Sequence, residues 1–380
     1  MNQSVRTGVR SGTGPGVRTR PEGCERPLSE AYDTALLDLD GVVYAGGAAI
    51  PHAVRSLELA REGGMHLAYV TNNAARTPET VAGHLTELGI PAGPGDVINS
   101  AQAVARLIAD ELPAGSRVLL IGTEGLRVAL RERGLVPVES VDDDPVAVAQ
   151  GYGGPDMPWS RLMEASYAVA RGLPWFASNT DLTIPTGRGI APGNGSAVEV
   201  VKIATGREPR VAGKPQPPMH RETVLRTGAR RPLVVGDRLD TDIEGAFVGG
   251  VDSLLVLTGV TTAAQVLAAR PEHRATYVAE DLRALLVPQP VVSVSGAVSG
   301  AVSGAGAVSG AVSGSASASA SAEGVRCAGW TASVVDGEFA LEGEGAAIDG
   351  LRALCGVAWG LAGEGSCALD SGKVLARLGL

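Results

Sequence analysis

Residues 35–44 read ALLDLDGVVY, and this stretch decides the fold. Ala35 to Leu39 is apolar except at Asp38, and is short enough for a buried strand that ends in a turn. The turn is Asp40-Gly41, where glycine permits a sharp change of direction and lets backbone N–H groups face an anion. Two carboxylates two positions apart, Asp38 and Asp40, project to the same side of an extended chain. Side by side they repel, and each is costly unless a cation neutralises them. A hard divalent cation with oxygen ligands suits such a pair, and magnesium suits it best beside a phosphate. An exposed acidic turn has the same local sequence, so the stretch needs support from elsewhere in the chain.

Three further clusters supply it. The apolar run Leu67 to Val70 leads into Thr71-Asn72-Asn73, whose hydroxyl and amides can donate to phosphate oxygens, although such residues also favour a helix entry. Ala212-Gly213-Lys214-Pro215 holds a lone lysine in a constrained backbone, a point charge suited to neutralising a phosphate and a nucleophile together. Leu233 to Val235 leads into Gly236-Asp237-Arg238-Leu239-Asp240-Thr241-Asp242, which places Asp237 at a strand tip and Asp242 in a first helical turn. Acids there also suit the helix dipole. Helices are predicted over Ala53–Glu62, stopped by Gly63-Gly64, and after the Thr77-Pro78 start signal. Alternating strands and helices predict an α/β fold with a Rossmann-like parallel sheet, and ligands bind such sheets at the C-terminal strand edge.

A chain of 380 residues, 44% hydrophobic, supports a large core and two to three domains. A net charge of −9 argues against nucleic acid or an anionic membrane as partner. No apolar run reaches the roughly 18–20 residues that span a bilayer. Residues 1–29 lack the apolar stretch of a secretory signal and are predicted disordered. A cytoplasmic protein with its four cysteines reduced is the expectation. The interval from Asp38 to Thr71 is too short for a domain, whereas that from Asn73 to Lys214 is ample. The core is therefore expected over 30–96 and 206–290, with an inserted α/β unit at 97–205. A Ser/Gly/Ala/Val linker at 291–322 and a small C-terminal module or docked tail at 323–380 complete the chain.

The order of the clusters resembles the haloacid-dehalogenase-like hydrolase superfamily over roughly residues 33–290. With the insertion after the second cluster, DLDGVVY, VTNNAART, SNTDLTIPT, AGKPQP and GDRLDTDIEGA resemble its class IIA branch. That branch holds para-nitrophenyl, phosphoglycolate, pyridoxal-phosphate and actinobacterial glycerol 3-phosphate phosphatases. The resemblance implies an α/β cap of C2 type and a Mg2+-dependent phosphatase acting through an aspartyl-phosphate. It implies Asp38 as nucleophile, Asp40 as general acid and then base, and Lys214 as counter-charge. Asp38, the Asp40 carbonyl and Asp237 would hold the metal, supported by Asp242. Gly41, Thr71, Asn72 and Asn73 would lie at the phosphate, and Asn179 and Asp181 near the substrate or the cap–core seam. The tail faintly resembles the extra module of the glycerol-phosphate group, which makes glycerol 3-phosphate the leading substrate. Phosphoglycolate, pyridoxal-phosphate and nucleotide phosphatases of the branch are alternatives, and a homodimer is implied by resemblance only. A non-catalytic phosphoryl-binding regulator is the rival of another class. A dehalogenase would not need Asp40, Asp237 and Asp242 together.

Overall fold

The computed structural model describes residues 17–294 and 324–380. Six strands form one parallel sheet: β1 (Thr34–Leu37), β2 (His66–Thr71), β3 (Val97–Asn99), β4 (Pro232–Gly236), β5 (Asp252–Val256) and β6 (Tyr277–Ala279). Their order is β6-β5-β4-β1-β2-β3. The chain thus runs outward from β1 in one direction and later returns to its other side, which opens a crevice at the tip of β1. Leu37 pairs with Val235 on β4 and with Tyr69 on β2, so the loops leaving these three strands converge on one place.

Side-chain parity explains why the middle positions of β1, β2 and β4 are apolar on both faces. Ala35, Leu37, Leu67, Tyr69, Leu233 and Val235 pack on one face against helices Ala53–Glu62 and Pro78–Glu87. Leu36, Ala68, Val70 and Ile98 pack on the other against helices Ser100–Ala109 and Pro217–Thr227. A sheet covered on both faces has no solvated parity.

The inserted unit carries a second parallel sheet of five short strands, ordered Arg210–Val211, Trp175–Ala177, Ala147–Gln150, Arg117–Ile121, Val136–Val138. Its boundaries differ from the expected 97–205 at both ends. Val97–Asn99 hydrogen-bonds to β2 and is an edge of the core sheet, while Arg210–Val211 pairs with Trp175–Ala177 in the inserted sheet. Residue type does not say which sheet a short apolar strand joins; the pairing does.

Two terminal regions also depart from expectation. Residues 17–29 are fastened to the core rather than disordered: Arg18 meets Asp252 at 3.0 Å, Glu22 N donates to Thr276 O at 2.8 Å, and Cys24 N donates to Gln289 O at 2.9 Å. Polar and backbone groups do the fastening, which a count of apolar residues does not register. The part of the predicted disordered segment at 1–16 lies outside the described residues. The predicted linker begins later than residue 291, because Val292–Val294 pairs with Val325–Cys327; its continuation, 295–322, lies outside the described residues. These two strands, with Trp330–Val335 and Glu338–Gly343, form an antiparallel sheet. Helix Ala347–Ala362 is buried between that sheet and Leu255 and Val278 of the core. The tail therefore both folds and docks. Among the described residues no helix is long and apolar enough to cross a membrane.

Candidate active site

Asp38 leaves the tip of β1 with its N–H bonded to Val235 O at 2.8 Å. Its side chain is 12% exposed and points at Lys214, whose Nζ lies 2.7 Å from Asp38 Oδ1 and 2.7 Å from Asp242 Oδ1. Val70 O accepts a third bond from the same ammonium at 3.2 Å. Burial alone would lower the Lys214 pKa, but Asp242 and Asp38 outweigh it and hold the group above its ordinary value.

Asp237 is fully buried at the end of β4. One of its oxygens, Oδ2, accepts from Val260 N at 2.7 Å; the other, Oδ1, has no hydrogen-bond partner among the described residues. Burial and then the Asp38 charge push its carboxyl up to about 6. Carboxylate oxygens of Asp38, Asp237 and Asp242 all lie within 4.8 Å of one another. Three acids in so small a volume, one with a bare buried oxygen, fit a hard cation. Asp242 is the most engaged of the three, since Lys214 Nζ takes one oxygen and Arg238 N the other at 3.2 Å. The π-helical turn Leu239–Ile243 aims it there. The Asp40 carboxylate is outside this group. Asp40 is exposed at the rim, yet the protein crowding its inner side, and then Asp38, push it up to about 6.

Gly41 has φ +87, and a Cβ there would come within 2.5 Å of Asp237 Oδ2. Its N–H, however, donates to Tyr44 O at 2.9 Å. The Gly41 N–H is therefore spent within the tight turn, and what this glycine provides is the close approach. The Thr71 hydroxyl accepts from Asn73 N at 3.1 Å and keeps its proton to donate. Asn73 is exposed and its Oδ1 accepts from Ala75 N at 2.9 Å, closing a turn. The Asn72 amide is not open to a phosphate, because its Nδ2 donates to Asp181 Oδ1 and to Lys214 O, both at 3.1 Å. Asn179 is likewise spent: Nδ2 donates to Asn72 O at 2.7 Å, and Oδ1 accepts from Asp181 N at 3.2 Å. Asn72, which follows β2, and Asn179 and Asp181, which follow Trp175–Ala177, thus join core to inserted unit. Burial raises the Asp181 pKa.

A relative 47% identical over 260 residues, covering 68% of this chain and 72% of its own length, is a D-glycerol 3-phosphate phosphatase from Mycobacterium tuberculosis. Family models for haloacid dehalogenase-like hydrolases match the chain at residues 35–136 and 211–285, either side of most of the inserted unit. The chain is a haloacid dehalogenase-like hydrolase. An acid sugar phosphatase from Staphylococcus haemolyticus is 36% identical over 66% of the chain and 94% of its own length. A crystal structure of a glycerol phosphate phosphatase from Mycobacterium tuberculosis in complex with magnesium aligns at TM-score 0.74 and 39% identity, covering 88% of this chain and 92% of that one. A p-nitrophenyl phosphatase from Archaeoglobus fulgidus aligns at TM-score 0.62 and 30% identity, over 67% of this chain and 98% of that one. Residues 327–380 of the hydrolase match a GCN5-related N-acetyltransferase like domain model.

The sequence reading missed the loop after β5. Thr258 Oγ1 donates to Gly41 O at 2.6 Å and Val260 N holds Asp237, so Thr258–Thr261 braces two elements of the site. It follows β5, and the rule that ligands gather at strand ends points to it. Arg76 was also missed; its charge partly offsets the upward push on Asp40.

Proposed function

We propose that this hydrolase is a magnesium-dependent phosphatase that removes phosphate from a small polyol phosphomonoester, glycerol 3-phosphate foremost, through an aspartyl-phosphate on Asp38. The observation that carries the reading is the pairing of Asp38 with the Lys214 ammonium beside an unpartnered Asp237 oxygen. Asp38, Asp237 and the backbone oxygen of Asp40 would hold the metal, whose positive charge offsets repulsion between carboxylate and phosphate. Lys214 neutralises the incoming oxygens and Thr71 donates to one of them. The Asp38 carboxylate attacks phosphorus, and the bond from phosphorus to the alcohol oxygen breaks. Asp40, its carboxyl pushed up to about 6, gives its proton to the leaving alkoxide. It then takes a proton from the water that attacks phosphorus, which releases inorganic phosphate and restores Asp38. The inserted unit acts as the cap over this chemistry. The names of the two curated relatives, a D-glycerol 3-phosphate phosphatase and an acid sugar phosphatase, favour a hydroxylated leaving group.

The test is phosphate release by the full chain from glycerol 3-phosphate, 2-phosphoglycolate, pyridoxal phosphate and nucleoside monophosphates, with Mg2+ and with EDTA. Mg2+-dependent release with the highest kcat/KM on glycerol 3-phosphate is expected. Release from none of them overturns the phosphatase reading, whereas a different preferred ester replaces the substrate alone.

A further inference from the structure

Lys214 must place its ammonium between Asp38 and Asp242, and a lysine side chain is long and flexible. Its position is therefore only as good as the backbone that carries it. Among the described residues, one side chain holds that backbone. Asn72 Oδ1 accepts from Lys214 N at 2.8 Å, and Asn72 Nδ2 donates to Lys214 O at 3.1 Å. The second hydrogen of the same amide goes to Asp181 Oδ1, in the inserted unit, at 3.1 Å. The main-chain oxygen of Asn72 accepts from Ser100 Oγ at 2.6 Å and from Asn179 Nδ2 at 2.7 Å. Gly213 is pressed between the same two regions, since a Cβ there would lie 2.6 Å from Asn72 Oδ1 and 2.5 Å from Ser178 O.

We propose that Asn72 is a positioning residue that makes the placement of Lys214 depend on the seating of the inserted unit. The inference rests on the phosphatase reading and reassigns one of its residues. An amide has two hydrogens to donate, and both are committed here; a phosphate ligand would need one free. Neither neighbouring chemistry substitutes for it. Aspartate would keep the bond from Lys214 N but lose both donors and set a charge against Asp181. A small side chain would leave the Lys214 peptide groups to water.

The test compares the full-length wild type, Asn72→Ala, Lys214→Met and the double variant in two measurements. One is steady-state hydrolysis of para-nitrophenyl phosphate with Mg2+; the other is calorimetric titration of Mg2+ with no substrate present. Asn72→Ser serves as second variant where Asn72→Ala does not fold. Asn72→Ala is expected to lower kcat about 10- to 100-fold while KM changes less than about threefold. In the Lys214→Met background it should cost less than about threefold more, because it acts through the group already removed. Its Mg2+ Kd should move in the same direction as that of Lys214→Met, since both disturb the cation nearest the three acids. A large rise in KM at constant kcat, or losses that multiply in the double variant, would assign Asn72 to the phosphate and overturn the proposal. An unchanged Mg2+ Kd in Asn72→Ala, where Lys214→Met shifts it, overturns it as well. A wild type inactive on every ester defeats only the phosphatase reading, and the Mg2+ titration then decides this one.

Discussion

Two buried ionic clusters of the core are built on opposite rules. Around Glu222, on helix Pro217–Thr227, three guanidiniums meet one carboxylate. Arg133 bonds it at 2.9 Å, with Arg106 and Arg226 alongside. Burial alone would raise the Glu222 pKa, but the Arg106 and Arg226 hydrogen bonds outweigh it and hold the group below its usual range. Around Lys214 one ammonium meets Asp38 and Asp242 while Asp237 stands by with a bare oxygen. The first cluster is over-neutralised and acts as a fastener: Arg133 caps a helix of the inserted unit and Arg106 lies on the helix leading into it. The second is under-neutralised, and a buried site short of positive charge is one that still has work for a cation. Burial and charge are common to both. The direction of the imbalance separates structure from chemistry.

The largest expected effect breaks the second cluster at its nucleophile. Asp38→Asn should lower kcat by on the order of 10⁴-fold or more. Its metal-free melting temperature should hold or rise, because one member of a repelling set is gone. Turnover near that of the wild type would remove Asp38 from the role of nucleophile.

Next comes the fastener. Glu222→Gln leaves three guanidiniums facing one another, and breaking a buried pair costs about 3–5 kcal/mol. Urea unfolding should show that loss of stability. A loss below about 1 kcal/mol would mean that the arginines find other partners and that the cluster fastens nothing.

The smallest effect sharpens the contrast through pH. The folded-state pKa of Asp237 is raised from 3.8 to about 6, so the native protein binds the extra proton between those values. Stability contributed by this group then falls as pH rises through that window and levels off above it. Glu222 has the opposite sign: its contribution is present above 4.5 and fades only as pH falls below that value. The metal-free protein should accordingly melt several degrees higher near pH 5 than near pH 7. Saturating Mg2+ should diminish the difference, and Asp237→Asn should remove the share that Asp237 contributes, while Asp40 and Asp242, also raised, keep the rest. A metal-free wild type and Asp237→Asn with the same pH profile would show that Asp237 carries no such strain.

Legibility differed from residue to residue for physical reasons. Asp38, Lys214, Asp237 and Asp242 could be picked out because each stands in an apolar or constrained context that local sequence displays. Their convergence comes from the parallel sheet, which the alternation of strands and helices announced. The use of the Asn72 amide was not visible, since its partners lie 109 and 142 positions away. The turn that consumes the Gly41 N–H is local but rests on a backbone bond to Tyr44, which leaves no mark on residue type. Docking of the tail did leave a mark that went unused: helix Ala347–Ala362 is apolar almost all round, and such a helix must be covered on every side.

By itself the sequence determined the α/β class, the four clusters that reach the tip of β1, and the acidic excess that calls for a cation. All of these depend on periodicity and residue type, which act over a few neighbouring positions. Only the tertiary structure decided where the inserted unit begins and ends, that residues 17–29 are fastened to the core, and that Asn72 is spent on Lys214 and Asp181. Those depend on hydrogen bonds between distant segments, and a donor carries no record in the sequence of which acceptor it will meet.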